Sequence, residues 1–80
     1  MADLQERLIE CFAAVFPTLD REEIPRASYT SVAKWDSLAG ITLVGVIEEE
    51  FDISVGPEDL ELLISFELIL DYLRSQVGDT

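Results

Sequence analysis

Among the side chains that could do chemistry, histidine is missing altogether from the 80 residues. Its absence removes the commonest general base and the commonest metal ligand together, which excludes hydrolysis by a Ser–His pair. The single Cys11 has no second thiol and no imidazole to activate it, and it lies at helical spacing beside Leu8 and Phe12, so it reads as a buried structural thiol. The run Glu48-Glu49-Glu50 with Asp52 lacks the alternating ligands, the central glycine and the twelfth-position glutamate of a calcium loop, and it reads as a solvated helix face. With no glycine-rich phosphate loop either, neither a catalytic residue nor a metal site is expected. What remains is Asp36-Ser37-Leu38. As three letters it is a helix start, Asp36 accepting from first-turn amides and Ser37 occupying an early helical position. The same location suits a phosphate, because the free amides and the positive end of the helix dipole favour an attached or approaching anion.

The elements that must hold this serine are legible from periodicity. Leu4, Leu8, Cys11, Phe12 and Val15 recur at spacings of three and four, which predicts an amphipathic helix from residue 3 to about 16, capped by Asp3 and ended by Pro17. Residues 17–35 carry no sustained period. A connection of that length in a small domain needs fastening, and Ile24, Tyr29, Val32 and Trp35 are the candidates to pin it, with one helical turn near Asp20–Ile24. Leu43, Ile47 and Phe51 then recur every four positions, which predicts a second helix over about Ser37–Glu50, apolar around most of its girth. Gly56-Pro57-Glu58-Asp59 opens a short third helix ending near Leu63. Ser65 caps a fourth, in which Phe66, Ile69, Leu70, Leu73 and Val77 share a face and which Gly78 closes. Strand signals are absent, so the expected fold is all-α: a small four-helix bundle of three longer helices and one short one.

Charge narrows the partners. The chain has a formal net charge of −12, and almost all of it lies from Asp36 onward, where 11 acidic residues face the single basic Arg74. Such a surface repels nucleic acid and anionic lipid and favours basic protein partners met at salt-sensitive rates. No apolar run approaches the roughly 18–20 residues that span a bilayer. With one cysteine and no signal-peptide pattern, a cytoplasmic monomer without nucleic-acid or membrane partners is expected.

The sequence resembles the acyl carrier proteins in length, in acidity, and in the long loop leading to Trp35-Asp36-Ser37-Leu38. The similarity continues through Leu43-Val44, Ile47-Glu48-Glu49-Glu50-Phe51, Ile53, Val55, Pro57-Glu58-Asp59, Leu63, Ile69 and Asp71-Tyr72-Leu73. It covers nearly the whole chain, in order and at these spacings, and implies one carrier domain over residues 1–80. It further implies that a phosphopantetheinyl transferase joins 4′-phosphopantetheine from coenzyme A to Ser37, with magnesium, and that the arm's thiol then carries an acyl group as a thioester. On that resemblance Asp36, Leu38, Val44, Glu48 and Glu49 serve transferase and partner recognition, while Ile47, Leu60, Leu63 and Ile69 line an acyl pocket. An acyl-loading ligase or acyltransferase and downstream biosynthetic enzymes are the implied partners.

Three departures point to a specialised carrier. Ala39, Thr42 and Gly45 stand on the second helix where fatty-acid carriers usually place acids, Leu60 and Ile69 are bulky where a pocket would be lined by small residues, and Trp35 precedes the motif as an aromatic anchor for the loop. An aminoacyl carrier fits the same residues, since the same arm serves both cargoes. An unmodified helical adaptor has no need of an exposed serine at position 37, and an enzyme has no base to use.

Overall fold

The computed structural model describes residues 3–77. Helix α1 covers Leu4–Val15, with Asp3 Oδ1 accepting from the Glu6 amide at 2.8 Å. That bond supplies an acceptor for one of the first-turn amides that a helix leaves unpaired. Leu4, Leu8, Ile9, Cys11 and Phe12 are buried along one stripe. The stop at Phe16 is local: a residue before proline is disfavoured in helical geometry, and Phe16 turns out at φ −122°, ψ 73° while its amide still reaches Phe12 O at 2.7 Å.

Helix α2 covers Ser37–Phe51 and buries Leu43, Ile47 and Phe51, the stripe their spacing predicts. Its end is turned by Asp52 in the left-handed region at φ 54°, a conformation that Asp tolerates better than most residues, and the Asp52 amide returns to Glu48 O. Arg7 fastens α1 to this end. Its Nε meets Glu50 Oε2 at 3.0 Å, its Nη2 donates to Glu50 O at 2.6 Å, and its guanidinium lies 4.5 Å from the Phe51 ring centroid. After α2 comes a 3-10 helix, Pro57–Leu62. Helix α3 covers Phe66–Val77, with Ser65 Oγ accepting from the Leu68 amide at 3.2 Å. Phe66, Ile69, Leu70 and Leu73 are all buried. The expected closing residue Gly78 and the Val77 side chain lie outside what the structure describes. Three α-helices and two short 3-10 helices, one of them in the connection between α1 and α2, with no strand among the described residues, make the all-α bundle that the periodicity predicts.

The connection between α1 and α2 is structured throughout. A turn at Asp20–Ile24, marked by the Ile24 amide on Asp20 O at 3.2 Å, runs into a 3-10 helix at Ile24–Arg26. Ile24 and Trp35 are buried as expected and Val32 packs partly against the core, but Tyr29 is 49% exposed. Its backbone, not its ring, makes the attachment: the Tyr29 amide donates to Ile64 O at 2.8 Å beside an isolated antiparallel bridge between Ser28 and Ser65. Ala27, small enough to sit against the core at 5% exposure, takes the place assigned to the tyrosine, and its carbonyl accepts from the Phe66 amide at 3.0 Å.

Cys11 is 3% exposed, and burial, followed by the nearby Glu50 carboxylate, pushes its thiol up to about 11. Because the unfolded thiol ionises at lower pH, alkaline solution favours unfolding as pH rises towards that value and leaves the neutral range untouched. At pH 8 a maleimide should react with folded Cys11 at least about a hundredfold more slowly than with the urea-unfolded chain, since only the thiolate attacks. Equal rates would contradict the buried placement.

Candidate functional site

The residues that lead into α2 build a mount for Ser37. Trp35 is 4% exposed, its ring edge-on to Phe12 with centroids 5.4 Å apart and tilted against Phe16 at 5.7 Å. Gly40, one turn into α2, faces that indole: a Cβ there would stand 3.4 Å from Trp35 Nε1, at ordinary contact distance. The core therefore holds the chain on both sides of the serine. Asp36 breaks from the loop in extended geometry, φ −104° and ψ −172°, and its Oδ1 accepts from the Ala39 amide at 2.8 Å while its carbonyl accepts from Gly40 at 2.8 Å. Caps of this kind contribute about 1 kcal/mol.

Ser37 is the first residue of α2 and is exposed. Among the described residues neither its amide nor that of Leu38 has an acceptor, so two donors and the positive end of a 15-residue helix face outward beside the hydroxyl. A covalently held phosphodiester fits these surroundings. The Ser37 hydroxyl makes no hydrogen bond among the described residues; Asp36 Oδ1 accepts from the Ala39 amide, and the sequence has no histidine. Among the described residues no group of three or more His, Cys, Asp or Glu is placed to hold a metal ion.

The other candidate residues fall into two groups. Leu38 is 74% exposed beside Ser37, Glu49 is exposed further along α2, and Val44 is half-buried against the core. Glu48 is half-buried as well, with Oε2 accepting from the Val55 amide at 2.8 Å, so part of its charge is spent inside the chain, on the link after α2. Ile47, Leu63 and Ile69 belong to the core, each at 6% exposure or less, whereas Leu60 stands outside it at 40%. Nothing in the sequence singles out Ile41, yet it is 64% exposed and lies three positions from Leu38. Its signal is its place off the Leu43–Ile47–Phe51 stripe.

An exposed hydroxyl at a helix start, beside two unpaired amides, is chemically suited to bear a tethered anionic group. A sequence-family model described as the phosphopantetheine attachment site matches residues 6–73. The acyl carrier protein of Syntrophus aciditrophicus (strain SB) is 30% identical over 71 residues, which cover 89% of this chain and 89% of that relative. The chain belongs to the acyl carrier protein family. It is accordingly a carrier and not an enzyme, its cofactor is 4′-phosphopantetheine, and its partners include a phosphopantetheinyl transferase and biosynthetic enzymes.

Proposed function

We propose that Ser37 is the residue that bears the arm and that the chain presents acyl groups to the enzymes of a dedicated cytoplasmic pathway, as a monomer and a single domain. The observation that carries this reading is the exposed Ser37 at the first position of α2, with Asp36 capping the turn and Trp35 anchoring it. Ser37 Oγ forms the new bond to phosphorus as the phosphoanhydride of coenzyme A breaks. Adenosine 3′,5′-bisphosphate leaves, and the serine proton passes to a base of the transferase. The arm's thiol supplies the thioester on which the cargo rides. Intact mass after incubation with coenzyme A and a promiscuous transferase tests the assignment, with Ser37→Ala as the control.

Recognition in this reading falls to Asp36 and Leu38 at the attachment turn and to Val44, Glu48 and Glu49 along α2, where the acidic surface attracts basic partners and makes their binding salt-sensitive. The exposed Ile41 extends the apolar contact begun by Leu38. Ile47, Leu60, Leu63 and Ile69 surround the space an acyl chain would have to open. Three of them are already packed in the core, and opening dense packing costs lost contacts, so sequestration of long chains is weak. Octanoyl or longer groups on the arm should leave the amide shifts of Ile47, Leu63 and Ile69 close to those of the unacylated holo protein. Large shifts and slowed amide exchange at these three positions would overturn this part of the reading.

A further inference from the structure

An open groove lies where the end of α1 meets the start of α2, lined among others by Val15, Pro17, Lys34, Asp36, Leu38 and Thr42. Its walls include both chain neighbours of Ser37. We propose that this groove seats the pantetheine arm when no partner holds it, so that the resting arm lies along the outside of the bundle and not between the helices. The inference rests on the assignment of Ser37 as the attachment residue.

Three features commit the groove to this occupant. The first is tethering: a chain attached at Ser37 starts between Asp36 and Leu38, so the groove is met at a high effective concentration without any search. The second is charge. Lys34 is the only lysine of the protein, it is exposed, and among the described residues it forms no ion pair. It lies three positions before the attachment point, in a chain whose later part is almost wholly acidic, and it complements the phosphodiester together with the unpaired amides of Ser37 and Leu38. Asp36 is the one opposing charge in the lining, and its Oδ1 already accepts from Ala39. The third feature is the mixture of surfaces. Val15, Pro17 and Leu38 offer apolar walls for geminal methyl groups, and Thr42 adds a methyl and a hydroxyl oxygen that can accept from an amide, its proton being donated to Leu38 O at 3.0 Å, which suits an arm that alternates apolar and amide segments.

The inward route is closed in the same structure. Ile47, Leu63 and Ile69 are 6% exposed or less, and the segment after α2 is fastened by Glu48 Oε2 on the Val55 amide at 2.8 Å and by Tyr72 Oη donating to Asp59 Oδ2 at 3.1 Å. An arm seated on the surface needs none of these contacts to break.

The test is nuclear Overhauser spectroscopy on holo protein whose loading has first been checked by intact mass. The geminal methyls of the arm should show cross-peaks to the methyls of Leu38 and Thr42. Thr42→Glu, which fills the groove and adds a negative charge, should lose the cross-peaks to the Leu38 methyls once intact mass shows that variant loaded, and Lys34→Glu should weaken those to both Leu38 and Thr42. Cross-peaks from the arm to Ile47, Leu60 or Leu63, or an arm with narrow lines and internal cross-peaks only, would overturn the inference while leaving the attachment intact. Absence of the mass gain, or its persistence in Ser37→Ala, would instead overturn the attachment.

Discussion

Phe12→Ala is expected to lower the unfolding free energy by about 3–5 kcal/mol, the range for truncating a fully buried phenylalanine. Phe12 has 0% exposure and is the hub of the aromatic cluster, its ring centroid 6.2 Å from Phe16, 5.4 Å from Trp35 and 5.3 Å from Phe66. One substitution therefore removes packing from α1, from the loop that precedes Ser37 and from the start of α3 together. Small domains are stable by only about 5–15 kcal/mol, so the substitution removes a large share of the total. Trp35 is the single tryptophan of the chain, so urea denaturation followed by its emission reports on the loop that mounts the site. A stability loss below about 1 kcal/mol would mean that the cluster is not the keystone its geometry indicates. In a variant that still folds, the loosened Trp35 should also slow loading at Ser37, because the serine's position depends on that anchor.

Ser37→Ala should act in the opposite sense: no measurable effect on the fold and complete loss of function. The side chain is exposed, and no bond to its hydroxyl is made among the described residues, so its removal should change stability by about 0.5 kcal/mol or less, as for other surface changes outside caps and networks. The capping bond belongs to Asp36 and survives. Without the oxygen there is nothing to esterify, and none of the neighbouring Thr18, Thr30, Ser31 or Thr42 stands at the first position of a helix. The pair of variants would separate the two roles, support of the scaffold by Phe12 and the proposed attachment at Ser37.

The helices were legible because their causes are local. Leu4, Leu8 and Phe12, then Leu43, Ile47 and Phe51, then Phe66, Ile69, Leu70 and Leu73 carry the helical period in their own spacing, and Asp3, Asp36 and Ser65 mark the starts by side-chain chemistry that needs no distant partner. The place of Ser37 followed from the same signals. The fastening of the long loop was harder to read, since it depends on pairings across the chain. The Tyr29 amide finds Ile64 O, and Ala27 O finds the Phe66 amide, and no pattern within residues 17–35 encodes either. A large aromatic looks like an anchor and a small alanine does not, although the backbone pairing leaves the aromatic outside. Glu48 misleads similarly: within an acidic run it reads as surface charge, and only the fold brings the Val55 amide to it. The groove beside Ser37 requires the end of α1 to meet the start of α2, a relation set by Phe12, Phe16 and Trp35 together.

The most direct test of the central claim is intact-mass measurement of the apo protein after incubation with coenzyme A and a promiscuous phosphopantetheinyl transferase. A single addition of one phosphopantetheine is expected on the wild-type chain, with none on Ser37→Ala. An unmodified wild-type protein, or the same gain on the alanine variant, would contradict the assignment of Ser37 as the carrier residue.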